Sequence, residues 1–126
     1  DFEIKRGVLL PVSAPFHCPL MQPAADAMAE ALERTPPGPL RVTLMANVTA
    51  APVTDPAEVR RLLVEQVTGR VRWRESMIAL GAAGVTHFVE FGGKVLCPMV
   101  KRSTGEEVTA TSVISMDDIE ALLKEI

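Results

Sequence analysis

The chain has 126 residues, 48% of them hydrophobic and 23% charged, with a formal net charge of −3 and two cysteines. That size fits one domain or a large piece of one, with enough apolar material for a core that needs neither disulfides nor metals. The acidic balance argues against nucleic acid as a partner, and no apolar run or signal-peptide pattern points to a membrane span or export.

Cys18 and Cys97 fit no scaffold or metal-ligand spacing, so free thiols in a reducing cytoplasm are expected. The first residue is Asp1 rather than Met, as in a chain that begins inside a longer polypeptide or after processing.

In chain order, Val8 to Val12 is a short apolar run and predicts a buried strand. The stretch Ser13 to Pro19 carries Pro15 and Pro19, which excludes a regular helix. From about Leu20 to Arg34, Met21, Ala25, Met28 and Leu32 recur on one helical face. Pro23 restricts the start of that helix to near Met21 or Gln22, and Thr35 to Pro39 stops it. Arg41 to Val48 reads as a strand in which Val42, Leu44 and Ala46 alternate. Asp55-Pro56-Ala57-Glu58 is a helix start, with Asp55 as cap, Pro56 at the first position and Glu58 closing a capping box; the helix should run to about Val67. Another helix spans about Trp73 to Ala83 and ends on Gly84.

Thr86 to Phe91 is β-branched and aromatic, hence a strand. Gly92-Gly93 turns the chain into a helix over about Val95 to Arg102, and Val108 to Val113 is the next strand. Ser115, with Asp118 three residues on, caps a last helix whose apolar face is Ile119, Leu122, Leu123 and Ile126, and Ile114 is placed to staple to Ile119. Strands alternating with helices predict an α/β fold, a mostly parallel sheet flanked by helices. Ligands on such sheets gather beyond the carboxyl ends of strands, where the Ser13 to Pro19 loop falls.

The chain has two histidines. His87 lies within a strand and reads as structural. His17 sits in the proline-rich loop, and loops on a rigid scaffold carry function. Its imidazole can act as base and then as acid in one cycle, given a nucleophile to activate and a group to hold its tautomer. No Gly-x-Ser-x-Gly elbow occurs, and none of Ser13, Ser76, Ser103, Ser112 and Ser115 lies on a glycine-flanked strand-to-helix turn. Paired-acid, histidine-rich metal and P-loop motifs are also missing. Gly92-Gly93 before a helix reads either as an anion site or as a tight turn, the turn being the plainer reading. Cys18 is not assigned as a nucleophile, because adjacent residues of an extended loop point apart.

Several ordered blocks carry a resemblance. Leu10-Pro11-Val12-Ser13-Ala14-Pro15-Phe16-His17-Cys18-Pro19-Leu20-Met21 with Pro23-Ala24-Ala25, then Asn47-Val48-Thr49-Ala50, then Leu63 to Trp73, then Gly84 to Leu96, resemble the malonyl-CoA:acyl-carrier-protein transacylases of bacterial fatty-acid synthesis. The resemblance spans nearly all of the chain from about Val8. It implies that residues 11–126 are the C-terminal part of a large α/β-hydrolase-like acyltransferase domain. Residues 1–10 would be the end of, or the exit from, a small ferredoxin-like subdomain inserted into it. The implied activity is a Ser–His ping-pong transfer of malonyl from coenzyme A to the phosphopantetheine thiol of acyl carrier protein.

By the same resemblance the catalytic positions are His17 and Gln66. His17 takes the place of the family's histidine, and Gln66 that of the glutamine whose backbone carbonyl orients it. A carbonyl on Nδ1–H leaves Nε2 free to take the serine proton, and Gln66→Ala is then expected to be mild. The serine, the arginine that binds the malonyl carboxylate and the N-terminal oxyanion donor are expected upstream of Asp1, so the piece alone should be inactive. Phe16 resembles the malonyl-selective form of the motif, as a substrate-binding ring that disfavours an α-methyl; packing in the core is the equal alternative. The family usually reads Gly-Pro-Gly where this chain has Gly92-Gly93.

No cofactor and no metal are implied, coenzyme A being carried by the substrate. The expected partners are malonyl-CoA and acyl carrier protein, with a cytoplasmic monomer at full length. Arg60, Arg61, Arg70, Arg72, Arg74, Lys101 and Arg102 are either a docking surface for the acidic carrier or an ordinary solvated face. The alternative function is a non-catalytic module that binds carrier protein or acyl thioester. A sheet without its central strands should also expose an edge and apolar surface.

Overall fold

The helices begin where the sequence offers a cap or a proline. The computed structural model describes residues 7, 9, 11–104 and 107–125. A 3-10 turn over Pro19–Met21 leads directly into α1, Gln22–Arg34, with Pro23 in its first turn, where a missing N–H leaves nothing unpaired. Helix α2 spans Pro56–Thr68, and the Asp55 carboxylate accepts from the Ala57 N–H at 3.1 Å. The expected capping box does not form, since Asp55 takes the Ala57 rather than the Glu58 N–H. Glu58 is held instead by Arg61, through Nε at 3.0 Å and Nη2 at 2.7 Å. A forked, charge-assisted pair outcompetes a single bond back to the cap backbone. Helix α3 runs over Trp73–Ala82 and α4 over Cys97–Thr104. Helix α5, Met116–Leu122, has its capping box in full: Ser115 Oγ accepts from the Asp118 N–H and Asp118 accepts from the Ser115 N–H. Ile126, expected on its apolar face, lies outside the described residues.

The strands form two pairs. β1 (Leu44–Ala46) and β2 (Ala51–Val53) are an antiparallel hairpin with Leu44 opposite Val53. β3 (His87–Phe91) and β4 (Thr109–Val113) run parallel, in register from His87 and Thr109 to Phe91 and Val113. Parallel strands need a crossover, and α4 supplies it, packing against both; α3 lies on α4, and α5 on β4. This βαβ unit gives the chain the α/β class that the alternation of elements predicts.

Three further expectations change. The run Val8 to Val12 forms no strand in its described residues: Leu9 is 98% exposed and Val12 67%, while Val8 and Leu10 lie outside the description. Strand backbone needs a neighbour to bond, and none of the described strands runs beside it. The residue 1–10 subdomain assignment falls largely outside the described residues as well.

The strand expected over Arg41 to Val48 shortens to Leu44–Ala46, because the chain turns back through Asn47-Val48-Thr49-Ala50. Ala50 takes φ 53, a left-handed conformation that costs a residue with a Cβ about 1–2 kcal/mol. Its N–H bonds the Ala46 carbonyl at 2.8 Å. The tertiary anchor is Arg72, whose backbone N–H donates to Asn47 O at 2.9 Å and whose Nη1 donates to Thr49 O at 2.8 Å. Finally, α4 starts two residues later than expected: Glu90 accepts from the N–H groups of Val95, Leu96 and Cys97, and Leu96 O accepts from the Met99 and Val100 N–H groups.

Burial divides between the two strand pairs. Ala46, Val53, Val59 and Leu62 form one cluster, with Leu40, Leu44 and Val48 packed against it. Helix α1 packs on α2 and buries Ala25. Around β3 and β4, Met77, Val100, Val113 and Leu122 are buried, whereas Phe91 and Val95 are each 71% exposed.

Candidate active site around His17

The loop that carries His17 is folded on itself. The Phe16 N–H donates to Ala14 O, the Met21 N–H to Cys18 O, and the Cys18 thiol to Pro15 O at 3.0 Å. His17 adopts φ 57, in the left-handed region that histidine enters more readily than most residues. Its side chain then reaches the end of α2, where Nδ1 lies 3.0 Å from the Gln66 carbonyl oxygen, 49 residues away in sequence. A carbonyl oxygen only accepts, so this bond needs a proton on Nδ1, which in the neutral ring leaves the Nε2 lone pair free. The imidazole is exposed.

The Gln66 carbonyl is available because α2 ends just beyond it. The Gly69 N–H makes the last helical bond, to Glu65 O at 2.8 Å, and Gly69 itself is extended at φ −88, ψ 152. The last carbonyls of a helix lack intrahelical donors, and the helix end carries partial negative charge that favours a nearby cation such as imidazolium. The Gln66 side chain contributes separately: Nε2 donates to Gly69 O at 3.0 Å and lies 3.5 Å from His17 Nδ1. Its Oε1 is buried without a partner.

The structure thus brings His17 and Gln66 together. Phe16 is adjacent in the loop and 57% exposed, not packed in the core. None of the serines bonds His17 among the described residues. Ser76 is fully buried with Oγ on Arg72 O, Ser103 donates to Met99 O, Ser112 to Cys97 Sγ, and Ser115 caps α5. His87 is tied to the neighbouring strand through Thr111 Oγ1 at 3.0 Å. No group of three His, Cys, Asp or Glu side chains is placed to hold a metal among the described residues. Among those residues, too, no helix is long and apolar enough to cross a membrane.

Glu90 is the polar centre that motif reading passed over. Its carboxylate accepts from the N–H groups of Val95, Leu96 and Cys97, each at 2.9 Å. Desolvation pushes its pKa up, but the three backbone donors outweigh it and hold the group at about 2. The start of α4 is therefore filled by the chain's own anion, and the Gly92-Gly93 stretch acts as a tight turn. Gly92 sits at φ 86, and a Cβ on Gly93 would meet Glu90 Oε1 at 2.8 Å. A glycine before a helix and an acid three residues earlier were the available signals.

The cationic set is mostly neutralised at home. Arg60 pairs with Glu33, Arg61 with Glu58 and Glu65, and Arg70 and Arg72 with Glu75. Arg74, Lys101 and Arg102 have no ion pair among the described residues. Arg74 and Arg102 border an open groove of about 480 Å³ beside Trp73 and Met99.

The α/β segment presents an exposed histidine held through Nδ1 by a main-chain carbonyl, an arrangement open to acid–base chemistry. No protein-family model matches the chain. It is 42% identical over 99 residues to the malonyl CoA-acyl carrier protein transacylase of Bacillus subtilis, covering 78% of this chain and 31% of that protein. The acyl-carrier-protein-S-malonyltransferase of Bartonella henselae superposes with a TM-score of 0.85 at 45% identity, over 96% of this chain and 38% of that one. A malonyl-transacylase solved in complex with its type II PKS acyl-carrier protein gives a TM-score of 0.86 at 32% identity, over 97% of this chain and 40% of that one. The chain belongs to the malonyl-CoA:acyl-carrier-protein transacylase family. It spans between about a third and two-fifths of the length of these relatives.

Proposed function

We propose that this chain is the C-terminal, histidine-bearing part of an enzyme that moves malonyl from coenzyme A to the phosphopantetheine thiol of acyl carrier protein. A serine outside this chain is the nucleophile. His17 Nε2 takes its proton as the oxygen attacks the thioester carbonyl, and returns the proton to the departing coenzyme A thiolate. The malonyl-serine ester is then attacked by the carrier thiol. His17 now takes the thiol proton and gives it back to serine, so both half-reactions balance without a cofactor. The observation that carries the reading is the 3.0 Å contact between His17 Nδ1 and Gln66 O. The helix-end carbonyl fixes the tautomer and supports the transient imidazolium, the part that a carboxylate plays in a full triad.

Phe16, exposed beside His17, is placed to contact the acyl group and to discriminate against an α-methyl. Of the seven-residue cationic set, Arg74, Lys101 and Arg102, without an ion pair among the described residues, are the ones offered to an acidic carrier. The complete enzyme is then a cytoplasmic monomer.

The test is intact mass after incubation with malonyl-CoA, on this chain and on the longest polypeptide that contains it. A malonyl adduct on the longer protein only, discharged by the carrier thiol, is expected. An adduct on neither would move the reading to a module that binds carrier or thioester without turnover. An adduct on this chain would place the nucleophile here, with Cys18 examined first.

A further inference from the structure

We infer that Gly69 and the side chain of Gln66 are positioning residues that aim the Gln66 carbonyl at His17; this rests on the proposed role of His17 as base. A helix end frays unless something holds it, yet the contact with Nδ1 depends on where one carbonyl of the last turn points. Two features hold it.

The first is space at Gly69. Its φ of −88 is open to any residue, so backbone freedom does not explain a glycine. A Cβ there, however, would lie 2.8 Å from Glu65 O and 2.8 Å from Val48 Cγ2. Glu65 O is the acceptor of the Gly69 N–H that closes the helix, and it is backbone that cannot swing aside. Val48 belongs to the turn that Arg72 anchors. Glycine therefore lets the hairpin turn press against the end of α2 while the last helical bond stays intact.

The second is the Gln66 amide. Nε2 donates to Gly69 O, looping the side chain over the helix end and tying residue 69 to residue 66. The same residue thus presents its backbone carbonyl to His17 and holds its own turn in place. The Nε2 donor, 3.5 Å from Nδ1, would favour the opposite tautomer, and the shorter 3.0 Å contact with the main-chain oxygen is the one that places the proton on Nδ1. On this inference Gln66→Ala should cost more than the mild effect expected from a backbone role alone, because the side chain has a bond to lose.

The test is the state of the His17 ring, read from its imidazole nitrogen shifts by NMR in the chain and in two variants. Gly69→Ala introduces the clash. Gln66→Met keeps the size but removes the donor, together with the unpartnered Oε1, so folding is retained even where Gly69→Ala fails to fold. In the unaltered chain Nδ1 should carry the proton almost entirely, with its N–H protected from exchange. In either folded variant that preference should be lost, with mixed tautomers and an unprotected proton. In the longer, active polypeptide Gln66→Met should lower kcat roughly 10- to 100-fold with KM for malonyl-CoA unchanged. A clear Nδ1–H preference that neither variant moves would overturn the positioning inference and leave the base reading intact. No such preference in the unaltered chain would overturn the base reading itself.

Discussion

Leu62→Ala tests how the hairpin cluster supports the site. Leu62 is 5% exposed, packs with Ala46, Val53 and Val59, and precedes Gln66 by one helical turn. The substitution removes three carbons, worth about 2.4 kcal/mol at about 0.8 per buried methylene. Leu62 and Gln66 also border an existing cavity of about 180 Å³ that reaches Leu44, Val48 and Val59. A wall already incomplete has little neighbouring side chain to move inward, so the new space should persist and add its own term of about 24 cal/mol per Å³. The expected total is about 3–4 kcal/mol, a large share of the roughly 5–15 kcal/mol that holds an ordinary domain folded. The assay is urea unfolding followed by the fluorescence of Trp73, the single tryptophan. It reports from the start of α3, just past the Arg72 anchor. A loss below about 1 kcal/mol at an unchanged m-value would show that the cluster collapses around the missing atoms, and the cavity argument would fail.

Glu90 should make the α4 half acid-sensitive. Its pKa is held at about 2 against an ordinary 4.5, so the folded carboxylate contributes in full above about pH 4.5 and progressively less as pH falls toward 2. Glu90→Gln should flatten that limb of an acid titration followed by circular dichroism, and an unchanged acid limb would refute the assignment. Ser115→Ala removes the oxygen that accepts from the Asp118 N–H and should destabilise by about 1 kcal/mol, seen as a lower Tm and faster exchange of the Asp118 amide. Phe16→Ser, in the longer active polypeptide, should raise kcat/KM for methylmalonyl-CoA relative to malonyl-CoA; an unmoved ratio would remove Phe16 from the acyl pocket.

Local chemistry made much of this molecule legible. Asp55-Pro56, Pro23, Gly84 and the Ser115–Asp118 pair set helix boundaries through bonds within a few residues, and those boundaries fall within about two residues of expectation. The parallel β3–α4–β4 unit follows from alternating periodicity. The sequence alone also singled out His17, as a loop imidazole, and family resemblance paired it with Gln66. What the sequence did not disclose depended on partners far along the chain. The β1–β2 turn has no glycine, and Ala50 is held in its left-handed conformation with Arg72 bonding the turn's carbonyls from more than twenty residues away. Glu58 matched a capping-box motif, but a neighbouring guanidinium took its carboxylate. Val8 to Val12 is apolar enough for a strand, yet its described residues join none. Most telling is Gln66. Sequence names the residue, but only the packed end of α2 leaves its carbonyl free, ties its amide to Gly69 and brings His17 within 3.0 Å, because a helix terminus acquires direction from what is packed against it.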